Sequence, residues 1–319
     1  MSEKPTVTDE PQPAAHEAPT PTKRPVVPAL EEMMGVSIPC LDHGFVRLVD
    51  YMGDDHAVVQ AARVSYGAGT KRLREDRGLI RYLLRHRHTT PFEMCELKVH
   101  MKLPIFVARQ LVRHRTANLN EVSGRYSVLD KEYYTPDPSV LGTQSKSNRQ
   151  GRGEPVSPER AAEVREQLRQ DAEAAYARYE ELLGGAAAAA TTGEQREETG
   201  EPASEGIARE LARIGLPVSF YTQWYWKIDL HNLLRFISLR ADAHAQYEIR
   251  VYAEALAELT RRWVPNVHEA FVDYQMEGAS LSRMEVAALK AMLAGGAPDL
   301  AAIGMSAREQ AEFKERFGL

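Results

Sequence analysis

Only two cysteines, Cys40 and Cys95, occur among the 319 residues of the chain. Two thiols cannot form a disulfide framework or a four-cysteine zinc site, and so few are typical of a reducing compartment. The sequence also has no apolar run near the ~20 residues that cross a bilayer. Its N-terminal stretch lacks the apolar core of a secretory signal. We therefore expect a cytoplasmic protein that does not enter a membrane.

Motifs for several common chemistries are absent as well. No GxGxxG or GxxxxGK[ST] sequence occurs, so neither Rossmann-type dinucleotide binding nor P-loop hydrolysis has support. The histidines follow no HExxH or two-histidine–carboxylate spacing, and we predict no metal site. Ser123 lies in no GxSxG elbow. The formal net charge of −5 argues against general binding to nucleic acids or membrane surfaces.

Composition divides the chain into a tail, a domain and an extension. Residues 1–35 are rich in Pro, Ala, Thr and Glu, so we expect a disordered tail. Residues 36–278 contain the strong periodic patterns and are predicted to form one domain. Within it, the low-complexity segment 184–206 is expected to be a flexible insertion. Residues 279–319 contain the capping boxes SRME and SARE, which predict two short helices outside the domain.

Hydrophobic periodicity predicts many helices and few strands. Alternating apolar residues predict strands at 45–52 and 96–103. Helical spacing predicts helices at 54–66, 75–87, 104–115, 158–183, 207–217, 228–240 and 246–263. The aromatic segment FYTQWYW (220–226) could stack on a ligand, but alternate aromatic residues favour a buried strand or turn. Because the strands do not alternate regularly with helices, we predict an α+β fold.

Residues 113–127, RHRTANLNEVSGRYS, combine cations, amides, a carboxylate and hydroxyls. Arg109 and Arg113 would be neighbours of like charge on a helix, which is unfavourable unless an anion lies between them. A phosphate fits, since the planar guanidinium matches its oxygens. Ser123 and Arg125 could hold further phosphate oxygens. The stretch predicts a nucleotide site, with a polar surface loop and a helix end carrying dipole-complementing cations as the alternatives.

The same RHR triplet occurs earlier in the chain, at 85–87. There it is followed by HTTPFE and not by a polar stretch like NEVSGRYS. The triplet alone is therefore a weak signal. The residues that follow 113–115 are the basis of the nucleotide-site prediction.

An RHR triplet followed, after seven residues, by serine is the signature of the flavin-dependent thymidylate synthases, which this sequence resembles. Here the signature runs from Arg113 to Ser123. The resemblance covers roughly residues 40–275. Four further segments are similar to the same family and fall in its order: AARVSY (61–66), HTTPFE (88–93), PIFVARQ (104–110) and LRADAHAQYEI (239–249).

The resemblance implies a reductive methylation of deoxyuridylate (dUMP) to thymidylate (dTMP). Methylenetetrahydrofolate would supply the carbon and leave as tetrahydrofolate. Reduced FAD would supply the hydride, and NADPH would reduce the flavin. The implied architecture has helices packed on a small sheet, in a homotetramer with active sites at the subunit interfaces.

The resemblance also assigns roles to individual residues. Its dUMP contacts are Gln110, Arg113, Glu121, Ser123, Gly124, Arg125, Arg213 and Arg240. Its FAD contacts are Ser65, Thr90, Arg113, His114, Arg115, Glu121, Asp229, His231 and Arg235. Some family members carry Asn where this chain has Asp229 and Arg235, and a carboxylate cannot donate a hydrogen bond as an amide does.

Arg240 is the residue to which we assign catalysis. Arginine is effectively always protonated, so it would stabilise negative charge on uracil and not act as a base. An ion pair with Asp242 or Glu248 is the alternative for this side chain.

Two other function classes compete with the synthase. A nucleic-acid-binding module could use the basic helices, although the net charge and the lack of basic–aromatic interleaving oppose it. A metal-dependent nucleotide phosphohydrolase would need carboxylates and histidines at ligand spacing, which the sequence lacks.

Overall fold

A computed structural model describes residues 23–66, 76–145, 151–184 and 205–319 of the chain. The described strands are β1 (Ser37–Cys40), β2 (Gly44–Met52), β3 (Glu96–Pro104), β4 (Asn118–Glu121), β5 (Gly142–Gln144), β6 (Arg152–Pro155) and β7 (Tyr221–Asp229). The described helices are α1 (Pro28–Glu31), α2 (Asp55–Arg63), α3 (Asp76–Arg85), α4 (Thr90–Glu93), α5 (Ile105–Leu111), α6 (Pro158–Leu182), α7 (Arg209–Ala212), α8 (Leu230–Arg240), α9 (Tyr247–Trp263), α10 (Pro265–Phe271), α11 (Arg283–Leu293) and α12 (Ala307–Phe317). Most of the predicted insertion and most of the predicted tail lie outside the described ranges.

An antiparallel sheet with strand order β1-β2-β3-β7-β4 forms the centre of the fold. β3 pairs with β7 along its whole length, from Glu96 opposite Asp229 to Pro104 opposite Tyr221. A separate hairpin, β5–β6, stands outside this sheet. The alternating apolar residues of β3 are all buried, as the sequence predicts: Leu97, Val99, Met101 and Leu103. The α+β class is confirmed, since helices pack around a small antiparallel sheet.

The aromatic segment at 220–226 is a core strand. Trp224 and Trp226 in β7 are 3% and 1% exposed, whereas Tyr225 between them is 46% exposed. This alternation is the pleat of a strand with one covered face. The prediction of a buried strand is therefore confirmed.

Helix α9 lies across the sheet and is held by buried hydrogen bonds. The Tyr252 hydroxyl donates to the carbonyl of Lys102 at 2.8 Å, and Trp263 Nε1 donates to the carbonyl of Gly53 at 2.7 Å. A Cβ on Gly44 would lie 2.0 Å from the Tyr252 hydroxyl oxygen, so only glycine fits at that position. These contacts hold the first half of α9 to β3 and its last residue to Gly53 after β2, and the first turn of the helix borders the candidate site.

The helix predicted at 104–115 is shorter than expected. Pro104 is the last residue of β3 and caps α5 with extended backbone angles (φ −61°, ψ 144°), and the helix ends at Leu111. Beyond it the bonds tighten, with the His114 amide donating to the Leu111 carbonyl at 3.0 Å. Arg113 therefore lies in a turn after the helix and does not share a helical face with Arg109.

The helix predicted at 207–217 is also shorter than expected. It is reduced to α7 and a single 3-10 turn, Arg213–Gly215. Gly215 is the last residue of that turn and Pro217 lies two residues later, and neither residue favours continuation of a helix.

The tail predicted to be disordered to residue 35 is ordered over its described part, residues 23–35. Leu30 of α1 is fully buried in the main core. The amide of Val27 donates to the Tyr51 hydroxyl at 2.8 Å, and Arg24 Nη1 donates to the Tyr51 carbonyl at 2.9 Å. A composition poor in apolar residues concealed the single leucine that anchors this segment.

Both thiols are buried in the main core. Burial raises the pKa of Cys40 to about 12. Burial, together with the charges of Asp54 and Asp55, raises the pKa of Cys95 to about 12. Neither sulfur is a nucleophile at neutral pH.

The C-terminal helices α11 and α12 form a small unit with its own core. Ser282 and Ser306 make the two predicted capping boxes with Glu285 and Glu309. The unit packs around a separate apolar cluster: Ala288, Leu300, Met305 and Phe313. Among the described residues, no helix is long and apolar enough to cross a membrane. The same ranges contain no cluster of three His, Cys, Asp or Glu side chains suited to a metal ion.

Leu30→Ala tests the anchoring of the N-terminal segment. Loss of a fully buried leucine should lower the free energy of unfolding by about 2–5 kcal/mol. Urea unfolding followed by fluorescence measures it. Val26→Ala is the control, because Val26 is 43% exposed and should cost far less. Equal effects of the two variants would mean that the segment does not pack as described.

Deletion of residues 186–200 tests the insertion. The chain ends that flank it already meet, since the amide of Ile207 donates to the carbonyl of Leu182 at 2.8 Å. Removing residues between two flanking segments that already meet changes closure entropy little, so activity should stay within about twofold and size-exclusion elution should shift only with mass. Loss of assembly on deletion would contradict the prediction.

Candidate active site

The polar stretch 113–127 lies at the edge of the sheet. Its β4 segment pairs with β7, with Asn118 opposite Lys227 and Glu121 opposite Trp224. All four residues of β4 are exposed. Glu121 Oε1 accepts a hydrogen bond from Thr222 Oγ1 at 2.6 Å. β4 is therefore an exposed edge strand, so part of the stretch has regular structure and is not a surface loop.

A tight turn after β4 brings four of the predicted dUMP residues together. The amides of Tyr126 and Ser127 both donate to the Ser123 carbonyl, at 3.0 and 3.1 Å. A Cβ on Gly124 would lie 3.1 Å from Arg213 Cδ, so the missing side chain lets Arg213 lie against the turn. Arg125 Nε donates to Glu210 at 3.0 Å. Ser123, Gly124, Arg125 and Arg213 therefore form one cluster.

The assigned catalytic residue, Arg240, is bound to His114. Arg240 Nε at the end of α8 donates to His114 Nε2 at 3.0 Å, across 126 positions of sequence. The ring of Phe236 packs edge-on against His114 at 4.8 Å between centroids. The alternative ion pairs are not formed, because Asp242 accepts from His244 and Glu248 from Arg152. Sequence reasoning did not predict this contact, because nothing local links the two segments.

His114 is held neutral by its surroundings. Partial burial lowers its pKa, and the positive charges of Arg240 and Arg235 lower it further. An arginine Nε–H can only donate, so the Nε2 atom that accepts from it carries no proton and the Nδ1 atom does. The ring thereby fixes one edge of the Arg240 guanidinium and leaves the Nη groups for another partner.

Arg113 and Arg115 provide uncompensated positive charge beside this pair. Both are exposed, and neither forms an ion pair with any residue that the structure describes. Unpaired guanidinium groups around a half-buried histidine fit a phosphorylated ligand, since arginine binds phosphate oxygens bidentately. A flavin nucleotide with two phosphates fits this donor set.

The remaining predicted FAD residues lie on neighbouring elements. Ser65 is exposed in the turn after α2, and Thr90 is the exposed first residue of α4. Helix α4, which begins at Thr90, packs against both α2 and α8. Among the described residues, neither Ser65 nor Thr90 forms a hydrogen bond with the 113–115 turn.

Asp229, another predicted FAD residue, is already used by the fold. It caps α8 by accepting from the Asn232 amide at 2.9 Å and from the Asn232 side chain at 2.7 Å. His231 and Arg235 follow at helical spacing, and Arg235 is exposed. Asp229 thus serves as a helix cap, which its sequence position directly before the apolar helical residues that start at Leu230 could have indicated.

Sequence reasoning missed a network that adjoins Gln110. Gln110 donates to Gln246, Gln246 donates to Glu248 at 2.9 Å, and Arg152 donates to Glu248 at 2.6 Å. A cavity of about 650 Å³ opens beside it, lined by the β5–β6 hairpin and by residues 243–247. The LRADAHAQYEI resemblance marks the α9 side of the network but gives no sign of Arg152.

Known proteins match this chain over most of its length. The family described as thymidylate synthase complementing protein matches residues 47–266. The chain belongs to the thymidylate synthase complementing protein family. The family resemblance proposed from the sequence motifs is thereby confirmed.

Two curated members of this family have high identity to the chain. The flavin-dependent thymidylate synthase of Ruegeria pomeroyi is 54% identical over 304 residues, which cover 95% of each chain. That of Rickettsia conorii is 52% identical over 301 residues, covering 93% of this chain and 99% of the relative. These matches extend beyond the family region at both ends.

Solved structures agree with the fold. The UMP/dUMP methylase PolB from Streptomyces cacaoi, bound with 5-Br UMP, superposes with a TM-score of 0.62 and 34% identity. The superposition covers 75% of this chain and 98% of the PolB chain. A second PolB structure, bound with 5-Br dUMP, superposes with a TM-score of 0.62 and 33% identity.

Arg240→Gln tests the electrostatics of this family member's site. Removing the cation that faces His114 should raise the histidine pKa toward its ordinary value of 6.5. A histidine with a lowered pKa stabilises the fold above its unfolded-state pKa, and that contribution is lost as pH falls through the folded pKa. In the wild type this loss should therefore occur below pH 6.5, and NMR titration of the histidine ring protons measures the shift.

Arg235→Gln is the matched control, since Arg235 is the weaker of the two charges that act on His114. We expect a smaller rise in the His114 pKa than for Arg240→Gln. An unchanged pKa in Arg240→Gln would contradict the direct contact between the two side chains.

Proposed function

We propose that the chain is a flavin-dependent thymidylate synthase that methylates dUMP to dTMP. The observation that carries the proposal is the Arg240–His114 pair, flanked by the uncompensated Arg113 and Arg115. The curated relatives named flavin-dependent thymidylate synthase support it. PolB, a UMP/dUMP methylase, supports a pyrimidine nucleotide as substrate.

Arg240 is proposed to act on the pyrimidine. Carbon 5 of uracil is a poor nucleophile, and it improves when negative charge on the ring oxygen is stabilised. The guanidinium cannot lose its proton, so it contributes electrostatic stabilisation and not base catalysis. His114 holds its Nε side, which leaves the Nη donors free to face the uracil.

The phosphate of dUMP is proposed to bind the turn after β4. Ser123 and Arg125 supply donors, Gly124 allows close approach of the backbone, and Arg213 lies against the same turn. Glu121, which accepts a hydrogen bond from Thr222, is proposed to accept another from the nucleotide. Gln110 and Arg113 complete the proposed substrate set.

FAD is proposed as the flavin, and when bound it supplies hydride chemistry. Arg113 and Arg115 would hold its phosphates, with His114, Glu121, Ser65 and Thr90 nearby. Contacts from Asp229, His231 and Arg235 belong to the same proposal. NADPH as reductant and methylenetetrahydrofolate as carbon donor, released as tetrahydrofolate, complete the proposed reaction.

A homotetramer with active sites between subunits is part of the proposal. Apolar side chains around the β4 turn are left exposed in one chain, an arrangement typical of an interaction surface. The exposed fractions are 44% for Val122, 77% for Tyr126, 75% for Ile214 and 54% for Val218. We propose that a second copy covers them, and that the domain spans about 36–278, with the helical pair from 279 as an extension.

Arg240→Ala tests the proposed catalytic role. Turnover of dUMP should fall at least about 100-fold, as for loss of one preorganised charge donor, while the visible flavin spectrum of the holoenzyme should remain. Anaerobic assays with NADPH and methylenetetrahydrofolate measure turnover. Arg261→Ala is the control, because Arg261 pairs with Glu258 on an exposed face of α9.

Near-normal turnover in Arg240→Ala would contradict the catalytic role of Arg240. A wild-type protein that stays colourless after incubation with FAD would contradict the synthase proposal as a whole. In that case the phosphohydrolase and nucleic-acid alternatives would be tested next, by metal analysis and by a salt-dependent RNA shift.

A further inference from the structure

A buried carboxylate joins the β5–β6 hairpin to the candidate site. Glu248 lies in the first turn of α9, and its side chain is 3% exposed. It accepts from Arg152 at 2.5 and 2.6 Å, from the Tyr134 hydroxyl at 3.0 Å and from Gln246 Nε2 at 2.9 Å. Three side chains from separate segments therefore converge on its two oxygens.

The Glu248 carboxylate is ionised. Burial raises its pKa, but hydrogen bonds from Gln246 and Arg152, and the charge of Arg152, bring the pKa below its ordinary value. The N-terminal end of a helix also favours a negative charge. An ionised carboxylate accepts hydrogen bonds and cannot donate them.

The charge on Glu248 fixes the orientation of the Gln246 side-chain amide, and through it that of the Gln110 amide. Gln246 must turn its NH₂ group toward Glu248, which directs its Oε1 the other way. That oxygen accepts from Nε2 of Gln110. Because the Gln110 nitrogen donates to Gln246, the Gln110 amide directs its own oxygen away from the network. Each amide between α5 and Glu248 therefore donates toward the carboxylate.

We propose that Glu248, held by Arg152, is a positioning residue that makes Gln110 present a hydrogen-bond acceptor to the nucleotide. This inference rests on the proposed contact between Gln110 and dUMP. The nucleotide group that meets Gln110 must then be a donor. Two donors of dUMP qualify, the imide N–H of the base and the 3′-hydroxyl of the sugar.

The first test uses Glu248→Gln in the FAD-loaded protein. A glutamine at 248 can donate as well as accept, so it no longer fixes which way Gln246 and Gln110 face. Calorimetric titration should give a dUMP Kd about tenfold higher than wild type, the size of one lost hydrogen bond. In turnover, the KM for dUMP should rise and kcat should change little.

Two dUMP analogues separate positioning from general damage. One lacks the 3′-hydroxyl and the other carries a methyl group on N3. Wild type should bind one of them more weakly than dUMP. Glu248→Gln should bind that same analogue as well as wild type does, because the bond in question is already absent.

Arg152→Gln tests the network from its solvent-exposed end, because the Arg152 side chain is 37% exposed. It should raise the dUMP Kd in the same direction as Glu248→Gln. Arg250→Gln is the matched control. Arg250 and Arg152 each lie 5.8 Å from the Tyr247 ring, but Arg250 donates to the Ala243 carbonyl and not to Glu248.

The outcomes are distinguishable. Equal weakening of dUMP and both analogues in Glu248→Gln would overturn the inference, as would equal effects of Arg152→Gln and Arg250→Gln. Wild-type affinity for dUMP in both Glu248→Gln and Arg152→Gln would also overturn it. A wild-type holoprotein that binds no dUMP at all would instead remove the proposed function.

Discussion

The pairing of β7 on both of its edges is the constraint on which the candidate site depends. One edge joins β3 in the core, and the other carries β4 with the polar stretch. At its end Asp229 caps α8, whose last residue is Arg240. A single strand therefore sets both the position of the 113–127 segment and the direction of the helix that meets it. The buried Trp224 and Trp226 hold this strand in place, so the position of the site depends on the packing of the core.

The distribution of ion pairs separates stability from binding. Away from the site, arginines are paired on the surface, as in Arg169 with Glu166 and Arg308 with Glu312. Around the 113–115 turn the guanidinium groups have no carboxylate partner among the described residues. A chain with a negative net charge can thus keep a locally positive surface, because the Asp and Glu side chains of its described ion pairs lie away from this turn. The half-buried His114 stays neutral there, since a further positive charge would be unfavourable.

Local patterns gave the parts of the fold that depend on local physics. The alternation in β3, the apolar stripe of α9 and both C-terminal capping boxes follow from spacing alone. The end of α5 was predicted too late because Arg113 and Arg115 have good helical propensity, whereas the chain turns after Leu111 and continues into β4. The Arg240–His114 and Arg152–Glu248 bonds could not be predicted, since each joins residues about a hundred positions apart. Leu30 was missed because one buried side chain leaves no periodic signal.

The two buried cysteines have a practical consequence. Thiolate is the form that reacts with maleimides, disulfides and oxidants, and a thiol with a pKa of about 12 supplies almost none of it near neutral pH. The unaltered chain therefore reacts very little with thiol reagents. A cysteine placed at an exposed position such as Leu293, which is 87% exposed at the end of α11, would be the one labelled site, so a fluorophore or spin label could report on the C-terminal helices without prior removal of Cys40 or Cys95.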